Sequence, residues 1–553
     1  MVTTEVSKKY LLKLIGKHLT DEQLEHHLHQ IKAPIDSMDG DRINIEVTGD
    51  RPDLLSAEGI SRALKGPLGI EKGIPEEKFE KGNYMVHVDE SVKQVREFIV
   101  CAVIENVKLT DEDLKDLIQI QEKLTITHGR KRKKVAIGLH DMESLVAPFY
   151  YKAVEPESVE FVPLMENRKM NLRQILEKHP KGIEYGWILK DAKKMPIIFD
   201  SRNQVLSFPP IINGILTEMR IGTKTIFIDI TGPDYHSCNI ALNILCQDFY
   251  DRGCTVKSVE VKYPHKTIVT PETEPEAMEL KVHETNKLLG ISLSPQEIID
   301  ALAKQRISAK IKSPAVLNCL IPRYRADFLH PVDLIEEVAL GYGYNNFQPK
   351  SPSIFTRGSV SRRTKIVDLL TDLMVGSSFM ELNTPILTSQ KLFDKAKSGE
   401  KLILIKNPVS EEYENIRSSL LPHLIDALSK NTHNNYPQKI FEIGLAATED
   451  ANSPVSARND LHVAGIIAHS NANLAELSSS LLEIMRLFRT DFKIGKSELE
   501  MFINGRQTVI SARINGDTAE IGKVGELSPA VLEAFKLEVP CVGFELNIEK
   551  LLH

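Results

Sequence analysis

A chain of 553 residues with 42% hydrophobic content is long enough for roughly three to five domains, each with its own core. A net charge of −7 excludes a basic nucleic-acid coat and leaves only local basic patches for contacts of that kind. No apolar run reaches the length of a membrane span and Met1 to Tyr10 carries no secretory pattern. The six cysteines are scattered without a C-x-x-C pair, which points to reduced thiols in a cytoplasmic protein and away from a zinc site.

Four regions follow one another. Residues 1–80 form an amino-terminal module that ends in the charged stretch Glu71 to Lys78. Residues 84–265 alternate strand-like runs (Phe98 to Ile104, Thr225 to Ile230) with helical ones such as Ile240 to Tyr250, the pattern of a mixed α/β domain. Within it, Arg130-Lys131-Arg132-Lys133-Lys134 is the one dense basic run, readable either as a solvated loop or as a phosphate contact. Pro271 to Pro275 reads as a linker. A second module spans 275–347, and Gln348-Pro349-Lys350-Ser351-Pro352 opens a last region, 355–553. The expected class is α+β, multidomain.

The second module carries the densest chemistry. Pro331 suits the first turn of a helix, and Asp333, Glu336 and Glu337 then share one face at i, i+3 and i+4, with Asp327 just upstream. Four carboxylates converging without a basic partner would repel one another, and a hard cation such as Mg²⁺ would relieve them. The plainer alternative is that acids in a first turn complement the helix dipole. The same segment has a counterpart near the start of the chain: Arg51-Pro52-Asp53-Leu54-Leu55 aligns with Arg325-Ala326-Asp327-Phe328-Leu329. In the same gapless register, Gly16, Leu19, Thr20 and Gln23 align with Gly290, Leu293, Ser294 and Glu297. Both stretches open a helix with a capping box, so one module is used twice. In the first copy Gly59, Arg62 and Ala63 occupy the acid positions, so the module folds without the acids.

Further motifs stand in series: Asp50 to Ile60, Lys134 to Asp141, Phe208-Pro209-Pro210-Ile211-Ile212-Asn213-Gly214, Phe227 to Gly232, Gly341-Tyr342-Gly343-Tyr344-Asn345, Phe441-Glu442-Ile443-Gly444 and Gly522 to Pro529. In this order they resemble, over essentially the whole chain, the phenylalanyl-tRNA synthetase β-subunit family in its shorter archaeal and eukaryotic form. The resemblance implies a duplicated winged-helix-like (DNA-binding-like) module, a mixed α/β editing domain, and a class II synthetase-like antiparallel-sheet lobe without catalytic motifs. It further implies an α chain holding the ATP and phenylalanine pockets, an α₂β₂ assembly acting on tRNA(Phe) with ATP, and a Mg²⁺ site shared with the α chain at Asp327, Asp333, Glu336 and Glu337.

The loss of chemistry in the last lobe is legible. Phe441-Glu442-Ile443-Gly444 stands where class II enzymes carry F-R-x-E, and Gly522-Lys523-Val524-Gly525 lacks a phosphate-loop frame and reads as a strand and turn before a helix at Ser528-Pro529. A helix from Arg417 through Ser429 is expected to be core or interface. In the editing-like domain, which the resemblance assigns to hydrolysis of tRNA mischarged with tyrosine, the pocket candidates are Pro210, Asn213, Gly214, Thr231 and Asp234. Gly214 stands where many archaeal members carry serine. No Ser–His–Asp or Cys–His set is evident, which leaves a positioned water and the tRNA's own hydroxyl to do the chemistry. Arg130, Lys131, Arg132, Lys133 and Lys134 are the candidate tRNA contacts. The chain ends too soon after this lobe for the long bacterial carboxy-terminal extension. The alternative functions are a stand-alone hydrolase of mischarged tRNA and a non-catalytic tRNA-binding scaffold.

Overall fold

The computed structural model describes residues 2–514 and 517–552. The chain divides into two compact units, Met1–Ser351 and Pro352–His553, so the first three regions expected from the sequence pack as one body. No helix among the described residues is long and apolar enough to cross a membrane.

The duplication is visible element by element. In the first copy the strands Val2–Ser7, Arg42–Val47 and Ile35–Asp39 form an antiparallel sheet. In the second, Glu276–Lys281, Val316–Ile321 and Ser308–Ser313 form a sheet of the same order. Helices Lys8–Ile15, Asp21–Gln30 and Ala57–Lys65 correspond to Val282–Leu289, Pro295–Lys304 and Pro331–Tyr342. The predicted capping boxes are present at Thr20 with Gln23 and at Ser294 with Glu297. The aligned glycines end the first helix of each copy in the left-handed region, Gly16 at φ 75° and Gly290 at φ 68°, where a side chain would be strained. Each copy then buries the apolar stripe of its second helix, Leu24 and Leu28 in one, Ile298 and Leu302 in the other.

Between the copies runs a ten-stranded mixed sheet whose penultimate strand, Ile226–Gly232, pairs antiparallel with Phe98–Glu105 on one side and the edge strand Ala136–Asp141 on the other. Helix Tyr235–Asp251 lies against it and is buried along most of its length. Its apolar residues join those of the first module in one continuous core.

The second unit is built on a seven-stranded sheet, antiparallel except for the short edge strand Met380–Glu381, which pairs parallel with Gln438–Glu449. Helices Arg362–Gly376 and Leu474–Phe488 cover one face, and Leu421–Lys430 and Pro529–Phe535 the other. The helix expected from Arg417 begins at Leu421, because Arg417 to Ser419 are extended and buried and Pro422 occupies the first turn. Gly522 to Gly525 lies within the strand Asp517–Leu527, as a strand-and-turn reading requires.

Candidate functional site

The strand Ile226–Gly232 of the first unit brings polar groups to one small cavity of about 100 Å³. Four of the predicted residues meet there: Pro210, Asn213, Thr231 and, from the basic run, Arg132. Gln121, Ser207 and Asp229 also line it and were not anticipated. Gly214 sits beside the cavity without lining it: a Cβ there would stand 3.0 Å from the Val205 carbonyl, a tight contact that a small shift of the neighbour relieves. Asp234 lies elsewhere. It caps helix Tyr235–Asp251 by accepting from the Ser237 N–H at 3.1 Å, and Lys134 pairs with it at 3.7 Å. That capping role follows from the preference of Asp for the N-cap and removes it from the pocket candidates.

Asp229 is the residue the sequence reading missed. Its Oδ2 stands 2.6 Å from His140 Nε2, and His140 Nδ1 is 2.8 Å from Thr217 Oγ1, so a Thr–His–Asp chain of buried groups exists where no such set was evident. The register explains it: Asp229 faces Gly138 across the strand pair, which makes His140 its diagonal neighbour on the same face. Gly138 is obligatory for the approach, since a Cβ there would fall 2.2 Å from Asp229 Oδ2 and 2.6 Å from His140 Nε2. Among the described residues no protein group hydrogen-bonds the other oxygen, Oδ1, and Asp229 lines the cavity. Alternation along two strands was the signal that could have found the pair.

The basic run is a strained turn. Arg130, Lys131 and Arg132 are consecutive residues at φ 48°, 53° and 67°, each costing about 1–2 kcal/mol. The amides of Lys131 and Arg132 donate back to the carbonyls of Ile126 and Thr125 at the end of helix Asp111–Ile126, and that of Lys134 to Gly129 within the turn. The turn sends Arg132 inward. Its guanidinium lies 4.2 Å from the Tyr185 ring centre and donates to the carbonyls of Pro210 (3.2 Å) and Ile211 (2.7 Å), clamping the Pro–Pro loop. Burial lowers its pKa. Buried Arg96 ties the same turn to the strand, donating to Thr231 Oγ1 at 2.9 Å and to the Lys133 carbonyl at 3.2 Å. Arg130, Lys131 and Lys133 remain exposed.

At the acidic helix the premise of an unpartnered cluster is corrected. Arg325 donates to both oxygens of Asp327, at 2.8 and 2.6 Å, and lies 3.0 Å from Glu337 Oε1. Burial opposes ionisation of Asp327, yet the Arg325 guanidinium overrides it and holds the carboxyl below its ordinary range. Lys32 of the first module reaches Glu336 at 2.8 Å. Asp333 caps its helix, accepting from the amides of Leu329 and His330, both at 2.8 Å, which is the helix-terminus role. The carboxylates are therefore answered one by one, and among the described residues no three His, Cys, Asp or Glu side chains are grouped to hold a metal. As placed, the set does not fit a four-carboxylate Mg²⁺ cage.

The second unit holds a buried polar network. Arg417, 2% exposed in its side chain, pairs with Glu442 at 2.8 Å and donates to Thr384 Oγ1 at 2.7 Å. Burial works against the charge of Glu545, but His462 (2.7 Å), Lys523 and Ser419 hold its carboxyl down at about 2. Lys523 is bound to Glu400.

Comparison with known proteins bears on what these sites belong to. The model of the phenylalanyl tRNA synthetase beta chain CLM domain matches residues 348–548, and that of the tRNA synthetase B5 domain matches 278–344. A phenylalanine–tRNA ligase beta subunit from Archaeoglobus fulgidus is 39% identical over 526 residues, 94% of either chain. One from Pyrococcus abyssi is 36% identical over 555 residues, 99% of either chain. The crystal structure of an N-terminal fragment of the phenylalanyl-tRNA synthetase beta subunit from Pyrococcus horikoshii superposes with a TM-score of 0.59 at 38% identity, covering 62% of this chain and all of the fragment. With near-complete coverage at this level of identity, the chain belongs to the phenylalanine–tRNA ligase β-subunit family.

Proposed function

We infer that this chain is the β subunit of a phenylalanine–tRNA ligase, working in the cytoplasm with an α chain that attaches phenylalanine to tRNA(Phe) at the expense of ATP. The single observation that carries this is identity of 36–39% to β subunits across 94–99% of the chain. An α partner is further supported by the apolar side chains that the second unit leaves in solvent, among them Met380 (66% exposed), Leu404 (71%) and Val409 (99%). An α₂β₂ stoichiometry is the form the family resemblance implies. Co-expression with the cognate α chain tests the reading: a stable complex is expected, and a β chain that elutes alone contradicts it.

The cavity at Asp229 is the candidate editing pocket. A site that rejects phenylalanine while accepting tyrosine needs a buried group that bonds the phenol, because its loss then leaves that group unpaired. Asp229 Oδ1 and Thr231 supply such groups, and His140 fixes the carboxylate's orientation. Arg132 shapes the loop over the pocket, while Arg130, Lys131 and Lys133 present charge to an RNA backbone. Deacylation of Tyr-tRNA(Phe) by the assembled enzyme is the test, and equal rates on Tyr- and Phe-charged tRNA would sink the editing role.

A Mg²⁺ bound by Asp327, Asp333, Glu336 and Glu337 requires Arg325 and Lys32 to release three of those carboxylates. Any such ion therefore belongs to the assembled complex, where a partner's groups can replace the pairs, and its role there is organising. A stand-alone hydrolase needs neither the paired modules nor the second unit, and nothing observed favours it.

A further inference from the structure

The two modules pack against each other, and the register that aligns Arg51 with Arg325 lets their contact residues be compared. In that register Lys32 corresponds to Arg306, and Glu336 to Arg62. Lys32 meets the Glu336 carboxylate of the other copy at 2.8 Å. The equivalent residues, Arg306 and Arg62, are both cations and line one small buried cavity of about 10 Å³ together with Arg51, Arg325, Gln305 and Tyr324. Each finds a carboxylate elsewhere, Arg306 at Glu71 and Arg62 at Asp248 and Asp251.

The hydrogen bonds of the cavity nonetheless leave donors over. Arg306 is 4% exposed and uses only Nη2, on Glu71 at 2.8 Å; no protein group among the described residues accepts from its Nε or Nη1. Tyr324, 3% exposed, likewise has a hydroxyl without a partner. Burial pushes that phenol up to about 12, so it keeps its proton across the working pH range. The one lining carboxylate, Asp53, is already taken at both oxygens by Arg51, at 2.9 and 2.8 Å. Arg62 stacks over the Tyr324 ring at 4.5 Å and spends its own donors on Asp248 (3.1 Å) and Asp251 (2.5 Å). Three orphaned donors therefore face a space enclosed by four guanidinium groups. Guanidinium cannot accept a hydrogen bond and Asp53 is taken, so among the lining side chains the Gln305 amide oxygen is the acceptor left for a water's protons. The volume suits about one water-sized occupant and excludes phosphate or a carboxylic acid.

We propose that this cavity is a monoatomic-anion site, taking chloride in the cell, and that Arg306 and Tyr324 hold the ion with the donors that find no protein acceptor. Buried unpaired donors each cost about as much as a lost hydrogen bond, so occupancy stabilises the junction.

Two measurements on the full chain test it together. Crystals grown in bromide without chloride should show an anomalous bromine peak in contact with Arg306 and Tyr324, weakened or lost in Tyr324→Phe, which removes one donor without changing the packing volume. In solution, replacing sodium glutamate by sodium chloride at equal ionic strength should raise the melting temperature of the wild-type chain by about 2 °C or more, and that of Tyr324→Phe by less. Absence of a bromine peak in a well-ordered junction, or equal melting in the two salts for the wild type, would overturn the proposal and leave the cavity to water.

Discussion

Asp229 is held in the cavity by a diagonal neighbour two residues along the next strand, and in the proposed editing role its free oxygen is the group that bonds the phenol. A hydrogen bond to a charged group contributes about 1.5–3 kcal/mol, so Asp229→Asn should lower kcat/KM for Tyr-tRNA(Phe) deacylation roughly 10- to 100-fold while leaving phenylalanine charging near the wild-type rate. Steady-state kinetics of both reactions check it. Glu545 offers a residue-scale test of stability. Its carboxyl lies at about 2 in the folded chain against an ordinary 4.5. A depressed acid stabilises the fold fully above its unfolded pKa and loses that contribution as pH falls toward the folded one. The second unit should therefore weaken progressively between pH 4.5 and 2. Glu545→Gln should cost about 3 kcal/mol at neutral pH and flatten that acid limb, as read by denaturant melts across the range.

At the scale of elements, strand Ala136–Asp141 carries the constraint that shapes the pocket. Gly138→Ala puts a methyl 2.2 Å from Asp229 Oδ2, so the carboxylate or the strand must move. We expect a stability loss of about 1–3 kcal/mol and tyrosine deacylation reduced as in Asp229→Asn, measured by melting and by the same kinetic assay. The acidic helix behaves differently. Asp333→Asn with Glu336→Gln leaves the buried Arg325 pair with Asp327 and Glu337 untouched, and should weaken α-chain association or charging at limiting Mg²⁺ if the helix serves a shared ion. Unchanged assembly and charging would reduce Asp333 to its helix cap. Much of this was legible in sequence. The duplicate register located the second helix of each module, because capping boxes are local signals, and Pro331 marked the start of the acidic one. The acid pattern marked the right helix but not its partners, because Lys32 and Glu336 are brought together only when one module packs on the other. Asp234 and Asp229 show the same limit: an N-cap acid and a pocket acid five residues apart look alike until strand pairing separates them. The inward turn of Arg132 depends on three left-handed residues that composition does not announce.

For the whole molecule, the first unit gathers the paired modules and the candidate editing pocket, and the second builds a seven-stranded sheet with the buried ion pairs Arg417 with Glu442 and Lys523 with Glu400. The proposed function assigns the charging chemistry to a partner α chain. The most direct measurement is phenylalanine charging of tRNA(Phe) by the purified chain, by its cognate α chain, and by the two expressed together. The account predicts charging only by the reconstituted pair. Charging by the isolated α chain at the rate of the pair, or no charging when a stable pair has formed, would contradict it.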